Sequence, residues 1–117
     1  MLLAVYGTLK SGYGNNVLLT GSELLGTTII KSPYFLIDLG PYPAAIPGPD
    51  VYNIIGEVYE IDEQTLRRCD RLEGYPSFYT RSIVDTEFGD AWMYHFSKPY
   101  ERAHNAKRRI EEWTRAA

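Results

Sequence analysis

Glu73 and the segment Tyr6-Gly7-Thr8-Leu9-Lys10 are the parts of this chain whose residue types and settings could do chemistry. Glu73 ends a run in which Leu66, Cys69 and Glu73 fall on one helical face, with Arg67, Arg68 and Arg71 mainly on the other. A carboxyl on the buried side of a helix loses hydration, and in the last turn it also meets the negative end of the helix dipole. Both effects raise its pKa from the usual value of about 4.3 toward one suited to proton transfer near neutral pH. The same pattern admits a plainer reading, in which Glu73 pairs with an arginine such as Arg81 and serves structure alone. The N-terminal segment follows an apolar run, Leu2-Leu3-Ala4-Val5, and opens into a loop with Gly12 and Gly14. A strand that stops at a glycine leaves backbone N–H groups free to meet an anion or an oxyanion, with no Cβ in the way.

The elements that would position these groups are mostly strands. Apolar and β-branched stretches recur at Leu2–Tyr6, Leu24–Ile30, Tyr34–Asp38, Asn53–Ile61, Tyr79–Asp85 and Ala91–Phe96. Glu87-Phe88-Gly89-Asp90 predicts a hairpin loop, and Gly40–Pro43 and Pro47–Asp50 predict turns. Asp62 is the expected N-cap of a helix that Gly74 stops. A second helix is expected over 102–117, where Ala103, Ala106, Ile110 and Trp113 follow a helical stripe. Many strands, few helices and no βαβ alternation indicate an α+β chain built on a small barrel-like sheet.

With 117 residues, 44% hydrophobic and a net charge of −3, the chain is expected to be one domain over 1–117 with a single core. Its mild acidity argues against a general affinity for nucleic acid. A single cysteine excludes an internal disulfide and fits a reducing compartment, and the first apolar run is too short for a signal peptide or a span. The expectation is therefore a cytoplasmic protein with no membrane partner. Gly7 and Gly12 have the spacing of a phosphate-binding loop, but Tyr13-Gly14 stands where Lys-Ser/Thr is needed. Val17 occupies the third glycine position of a dinucleotide fingerprint. Cys69 reads as a packing residue, and His95 and His104 do not make a zinc site with it.

Read together, the segments carry a resemblance. Val5-Tyr6-Gly7-Thr8-Leu9-Lys10-Ser11-Gly12 with Asn15 and Asn16 resembles the opening signature of the γ-glutamylcyclotransferase-like proteins, which include γ-glutamylamine cyclotransferase and the AIG2-like proteins. Gly40-Pro41-Tyr42-Pro43-Ala44-Ala45-Ile46 is similar to the family's proline-containing strand. Ile55–Ile61 and Leu66–Arg81 match in order: Gly-Glu-Val-Tyr, a helix, Asp-x-x-Glu-Gly-Tyr, then Tyr79 and Arg81. The likeness runs from Leu2 to about Phe96. Cys69 departs from it, standing where the family often has leucine, and the tail after Phe96 carries no matching motif.

The resemblance implies a compact mixed β-barrel with flanking helices. It implies Glu73 as catalytic acid/base and Tyr6, Gly7, Thr8 and Leu9 as the substrate loop. The implied reaction converts a γ-glutamyl amine or γ-glutamyl amino acid to 5-oxoproline and a free amine, with no metal or other cofactor. The alternative is a non-catalytic small-molecule-binding module of the same fold. For the C-terminal helix, packing on the barrel competes with a role in binding a partner or forming a homodimer.

Overall fold

The computed structural model describes residues 1–97 and 109–114. The chain forms β1 (Leu2–Val5), a 3-10 turn (Gly14–Leu19), β2 (Glu23–Asp38), β3 (Pro43–Glu60), α1 (Glu63–Glu73), β4 (Tyr79–Thr86), β5 (Gly89–Phe96) and β6 (Arg109–Ile110). The strands make one mixed sheet in the order β4-β5-β1-β3-β2-β6. β1 runs antiparallel to β3 on one side and parallel to β5 on the other, which is why it reads as an unbroken apolar run. Its side chains alternate between two cores. Leu3 and Val5 join Phe35, Ile37, Ile46 and the helix residues Leu66 and Cys69. Ala4 and Tyr6 join Ile30, Leu36, Ile54, Met93 and Trp113.

The sheet curls into a half-barrel, bringing strands that are not neighbours in the ladder into contact. A Cβ on Gly26 of β2 would lie 2.8 Å from the Phe88 ring at the β4–β5 turn. The Tyr34 ring of β2 sits 4.3 Å from His95 of β5. Among the described residues no helix is long and apolar enough to cross a membrane.

Two expectations need correction. Pro47–Asp50 is not a turn between strands; β3 continues through it. The β2–β3 ladder shifts register between Tyr34↔Pro47 and Ser32↔Tyr52, so the prolines and glycine form an irregularity inside a long bent hairpin. Gly48 lets two rings pack closely there, since an added Cβ would fall 2.8 Å from the Tyr52 ring and 2.9 Å from that of Phe35. The second correction is at the C-terminus. Within the helix expected over 102–117, Arg109–Ile110 form strand β6, paired with Ile37 and Leu36 of β2. The open backbone edge of β2 outcompetes local helix propensity. Trp113 is buried as its stripe suggested, but outside any helix or strand, with Nε1–H donating to Asp38 Oδ1 at 3.2 Å. Residues 102–108 and 115–117 of that expected helix lie outside the described residues.

Candidate functional site

α1 forms where expected. The Asp62 carboxylate caps it, accepting from the Thr65 N–H at 2.7 Å, and Gly74 ends it in the left-handed conformation, φ 65°. Leu66 and Cys69 are buried against the sheet, and the same face carries Glu73. Burial pushes the Cys69 thiol up to about 11, so it is an unreactive packing group at neutral pH.

Glu73 borders a pocket of about 330 Å³ together with Tyr6, Gly7, Thr8 and Leu9. Tertiary structure thus brings all five sequence-derived candidates to one cavity. Among the described residues no hydrogen bond or ion pair engages the Glu73 carboxyl, and burial alone pushes its pKa up from 4.5 to about 7. The plainer pairing with Arg81 is absent. Arg81 Nε and Nη2 donate instead to the two oxygens of Asp70 at 2.8 and 3.1 Å. Glu73 is left as a carboxyl that can take and return a proton near pH 7.

The loop after β1 is held from several sides. The Lys10 N–H donates to the Gly7 carbonyl at 3.0 Å, making a tight turn. Asn15 Nδ2 donates to Thr8 Oγ1 at 2.8 Å, and Asn16 Nδ2 donates to the Leu9 carbonyl at 2.8 Å. Lys10 is buried, and its Nζ donates to the Trp113 carbonyl at 2.7 Å. Among the described residues the N–H groups of Gly7, Thr8 and Leu9 meet no protein acceptor. Gly7 does not adopt a positive φ. Its need for glycine comes from contact, since a Cβ would lie 2.9 Å from Pro43 Cδ and 3.0 Å from Cγ.

The rest of the pocket is tyrosine and apolar surface. Tyr6 Oη–H donates to the Tyr94 carbonyl at 2.8 Å and accepts from the Ala45 N–H at 3.1 Å. Tyr79 Oη–H donates to the Pro43 carbonyl at 2.8 Å. Burial raises the pKa of both phenols, with the Glu73 charge adding to it, so they stay neutral. Pro41, Tyr42, Leu72 and Phe78 line the outer part, where Pro41, Leu72 and Phe78 are exposed. Of the aromatic segment after Glu73, Phe78 and Tyr79 reach the pocket.

The sequence reading missed Pro43, Asn15 and Tyr94 as site residues. Asn15 and Pro43 lie within the family-like segments but carry no chemistry of their own. Tyr94 had no local signal, because only the β1–β5 pairing places it beside Tyr6. His95 is a satisfied core residue, its ring nitrogens within 2.8 Å of Ser82 Oγ and 2.7 Å of the Phe96 carbonyl. His104 lies outside the described residues, among which no cluster of histidine, cysteine and acidic groups could hold a metal ion.

The chain belongs to the γ-glutamyl cyclotransferase, AIG2-like family, whose pattern it matches over residues 3–115. It is 42% identical over 99 residues to a putative γ-glutamylcyclotransferase of Vibrio cholerae, covering 85% of this chain and 84% of that protein. It is 40% identical over 101 residues to the γ-glutamylcyclotransferase family protein YtfP of Escherichia coli K12, covering 86% and 87%. Among solved structures, an AIG2-like protein of Mus musculus superposes with a TM-score of 0.79 at 25% identity, covering 97% of this chain and 87% of that one.

Proposed function

We propose that this protein is a γ-glutamyl cyclotransferase that converts a γ-glutamyl amine or γ-glutamyl amino acid to 5-oxoproline and a free amine, with Glu73 as general acid/base. The observation that carries the reading is the unpaired Glu73 carboxyl, raised to about 7, in one pocket with the Tyr6–Leu9 loop. Family membership supports the same class of activity.

The pocket bends a flexible γ-glutamyl chain so that its α-nitrogen faces its own γ-carbonyl, an orientation effect that supplies several kcal/mol. Glu73 takes a proton from the α-ammonium. The amine attacks, a C–N bond closes the five-membered lactam, and the backbone N–H groups of Gly7, Thr8 and Leu9 receive the oxyanion or the substrate carboxylate. Glu73 then returns its proton to the departing nitrogen as the old C–N bond breaks. The ring nitrogen still carries one surplus proton after the attack and gives it up to the leaving amine, which departs as an ammonium ion, so two protons leave the α-nitrogen and two reach the departing nitrogen. A panel of γ-glutamyl amines and γ-glutamyl dipeptides assayed for 5-oxoproline tests the reading. If the pocket binds such compounds and none is ever cyclised, the non-catalytic binding module replaces the enzyme.

The pH profile follows from the carboxyl. Only ionised Glu73 accepts the first proton, so kcat/KM is expected to fall tenfold per pH unit below about 7 and to level off above it. A profile flat from pH 5 to 8 would remove Glu73 from the chemistry.

The outer wall bears on the leaving group. Among the described residues no lysine, arginine or histidine lines the pocket, and Glu73 is its one carboxylate. A leaving group with its own carboxylate finds no counter-charge there. Uncharged apolar amines are expected to exceed carboxylate-bearing dipeptides in kcat/KM by about tenfold or more, the ratio produced by about 1.4 kcal/mol. Equal values for the two series would show that the apolar wall sets no preference.

A further inference from the structure

Three residues of the Asp-x-x-Glu-Gly-Tyr…Arg pattern, Asp70, Tyr75 and Arg81, have no part in the chemistry above, yet they meet beside it. Asp70 stands one turn before Glu73 on α1. Arg81 of β4 binds it in a fork at 2.8 and 3.1 Å, and Tyr94 Oη–H of β5 donates to Asp70 Oδ1 at 2.6 Å. The Arg81 guanidinium is held between two rings, 4.5 Å from the Tyr75 centroid and 4.4 Å from that of Trp92. The side chains of the pair are only 14% and 17% exposed. The cluster therefore ties the last turn of α1, the segment leaving it, and strands β4 and β5 into one unit. Tyr94 also borders the pocket and receives the Tyr6 hydroxyl.

We infer that Asp70 and Arg81 form a charge-neutral clamp that positions the Glu73-bearing turn of α1 and keeps the arginine from becoming a partner of Glu73. The inference rests on the reading of Glu73 as acid/base. A plain anchor could have been apolar; a paired one adds electrical neutrality at the point where a lone cation would ionise the neighbouring carboxyl. The titratable groups that share the pocket with Glu73 or feel its charge are Tyr6 from the end of β1, Tyr42 from the β2–β3 turn, Tyr79 from β4, Tyr94 from β5 and Cys69 from its own helix. Among the described residues none of them is a cation. Asp70 itself stays ionised: burial works against its charge, but the Arg81 and Tyr94 hydrogen bonds outweigh that and hold it below the ordinary range. Arg81 and Asp70 act through Glu73 and are positioning residues.

The test titrates Glu73 directly, by the carbon-13 signal of its carboxyl, in the wild type, D70N, R81M and D70N/R81M, with E73Q supplying the assignment. D70N strands the cation and should lower the Glu73 midpoint by about half a unit or more; R81M strands the anion and should raise it by a similar shift. In the double variant the midpoint should return toward the wild-type value, while 5-oxoproline release stays about tenfold or more below it, since the turn is no longer held. Midpoints that do not move, or that move in the same direction in both single variants, overturn the clamp. If R81M fails to fold, D70N alone decides, and a midpoint that is not lowered overturns it. The titration needs no turnover. Opposite shifts in a protein that cyclises nothing would uphold the clamp and sink the proposed reaction, whereas active wild type with unmoved midpoints would do the reverse.

Discussion

Glu73→Gln is expected to lose about 10²–10⁴-fold in turnover, the usual range for removing a general acid/base, while gaining stability at pH 8. The gain follows from the sign of the shift. The carboxyl titrates at 4.5 in an unperturbed setting and at about 7 in the fold, so the folded state binds the proton more tightly. Stability from this group is fully present below about pH 4.5 and is lost as pH rises through about 7. Above that the fold carries a desolvated carboxylate, at a cost on the order of 3 kcal/mol for a shift of this size. The neutral amide removes that cost. Chemical denaturation should show Glu73→Gln above wild type at pH 8 and the two converging near pH 4.5. A variant that is inactive and also less stable at pH 8 would mark Glu73 as a structural group. One that turns over normally would remove it from the mechanism.

Gly7→Ala should cost about 10²–10³-fold in kcat/KM, the range for misaligning one oxyanion donor. The added Cβ would meet Pro43 Cδ at 2.9 Å and Cγ at 3.0 Å. Pro43 is a poor candidate to yield. Its ring is rigid, it pairs with Asp38 in the β2–β3 ladder, and its carbonyl accepts from buried Tyr79. The loop must move instead, taking the N–H groups of Thr8 and Leu9 with it. Overpacking of this kind costs about 1–3 kcal/mol, so some loss of Tm accompanies the effect. Thr8→Ala should cost less, because what it removes is the acceptor of Asn15 Nδ2 and not a backbone donor. Parallel kcat/KM and Tm measurements on both variants check the order. Full activity in Gly7→Ala would exclude close backbone approach at this position.

Both predictions depend on residues of a kind that sequence reports well. Helix α1 was legible because its signals are local: a capping Asp62, a left-handed Gly74, and an apolar stripe of Leu66 and Cys69 that carries Glu73 with it. The N-terminal strand and its glycine turn were legible for the same reason. The motifs in order also named the family and a small mixed barrel, which the structure shows as a half-barrel. Local pattern could not tell that Pro47–Asp50 lies within β3, because whether Pro and Gly end a strand or bend it depends on the partner strand's register. Nor could it tell that Arg109–Ile110 join the sheet, since a free strand edge is a property of the folded sheet.

The site divides in the same way. Sequence by itself determined that a carboxyl lies on a buried helix face and that a glycine opens the loop after β1. Only the tertiary structure decided that the two share a cavity, that Arg81 belongs to Asp70, and that Glu73 has no ion-pair partner among the described residues. Arg81 is eight residues from Glu73 and eleven from Asp70 along the chain, and no spacing rule chooses between them. The choice comes from where β4 and β5 set the guanidinium, between the Tyr75 and Trp92 rings, with its fork turned to Asp70. A charge's partner is fixed by distances through space, and those exist only once the sheet has curled and the helix has docked on it.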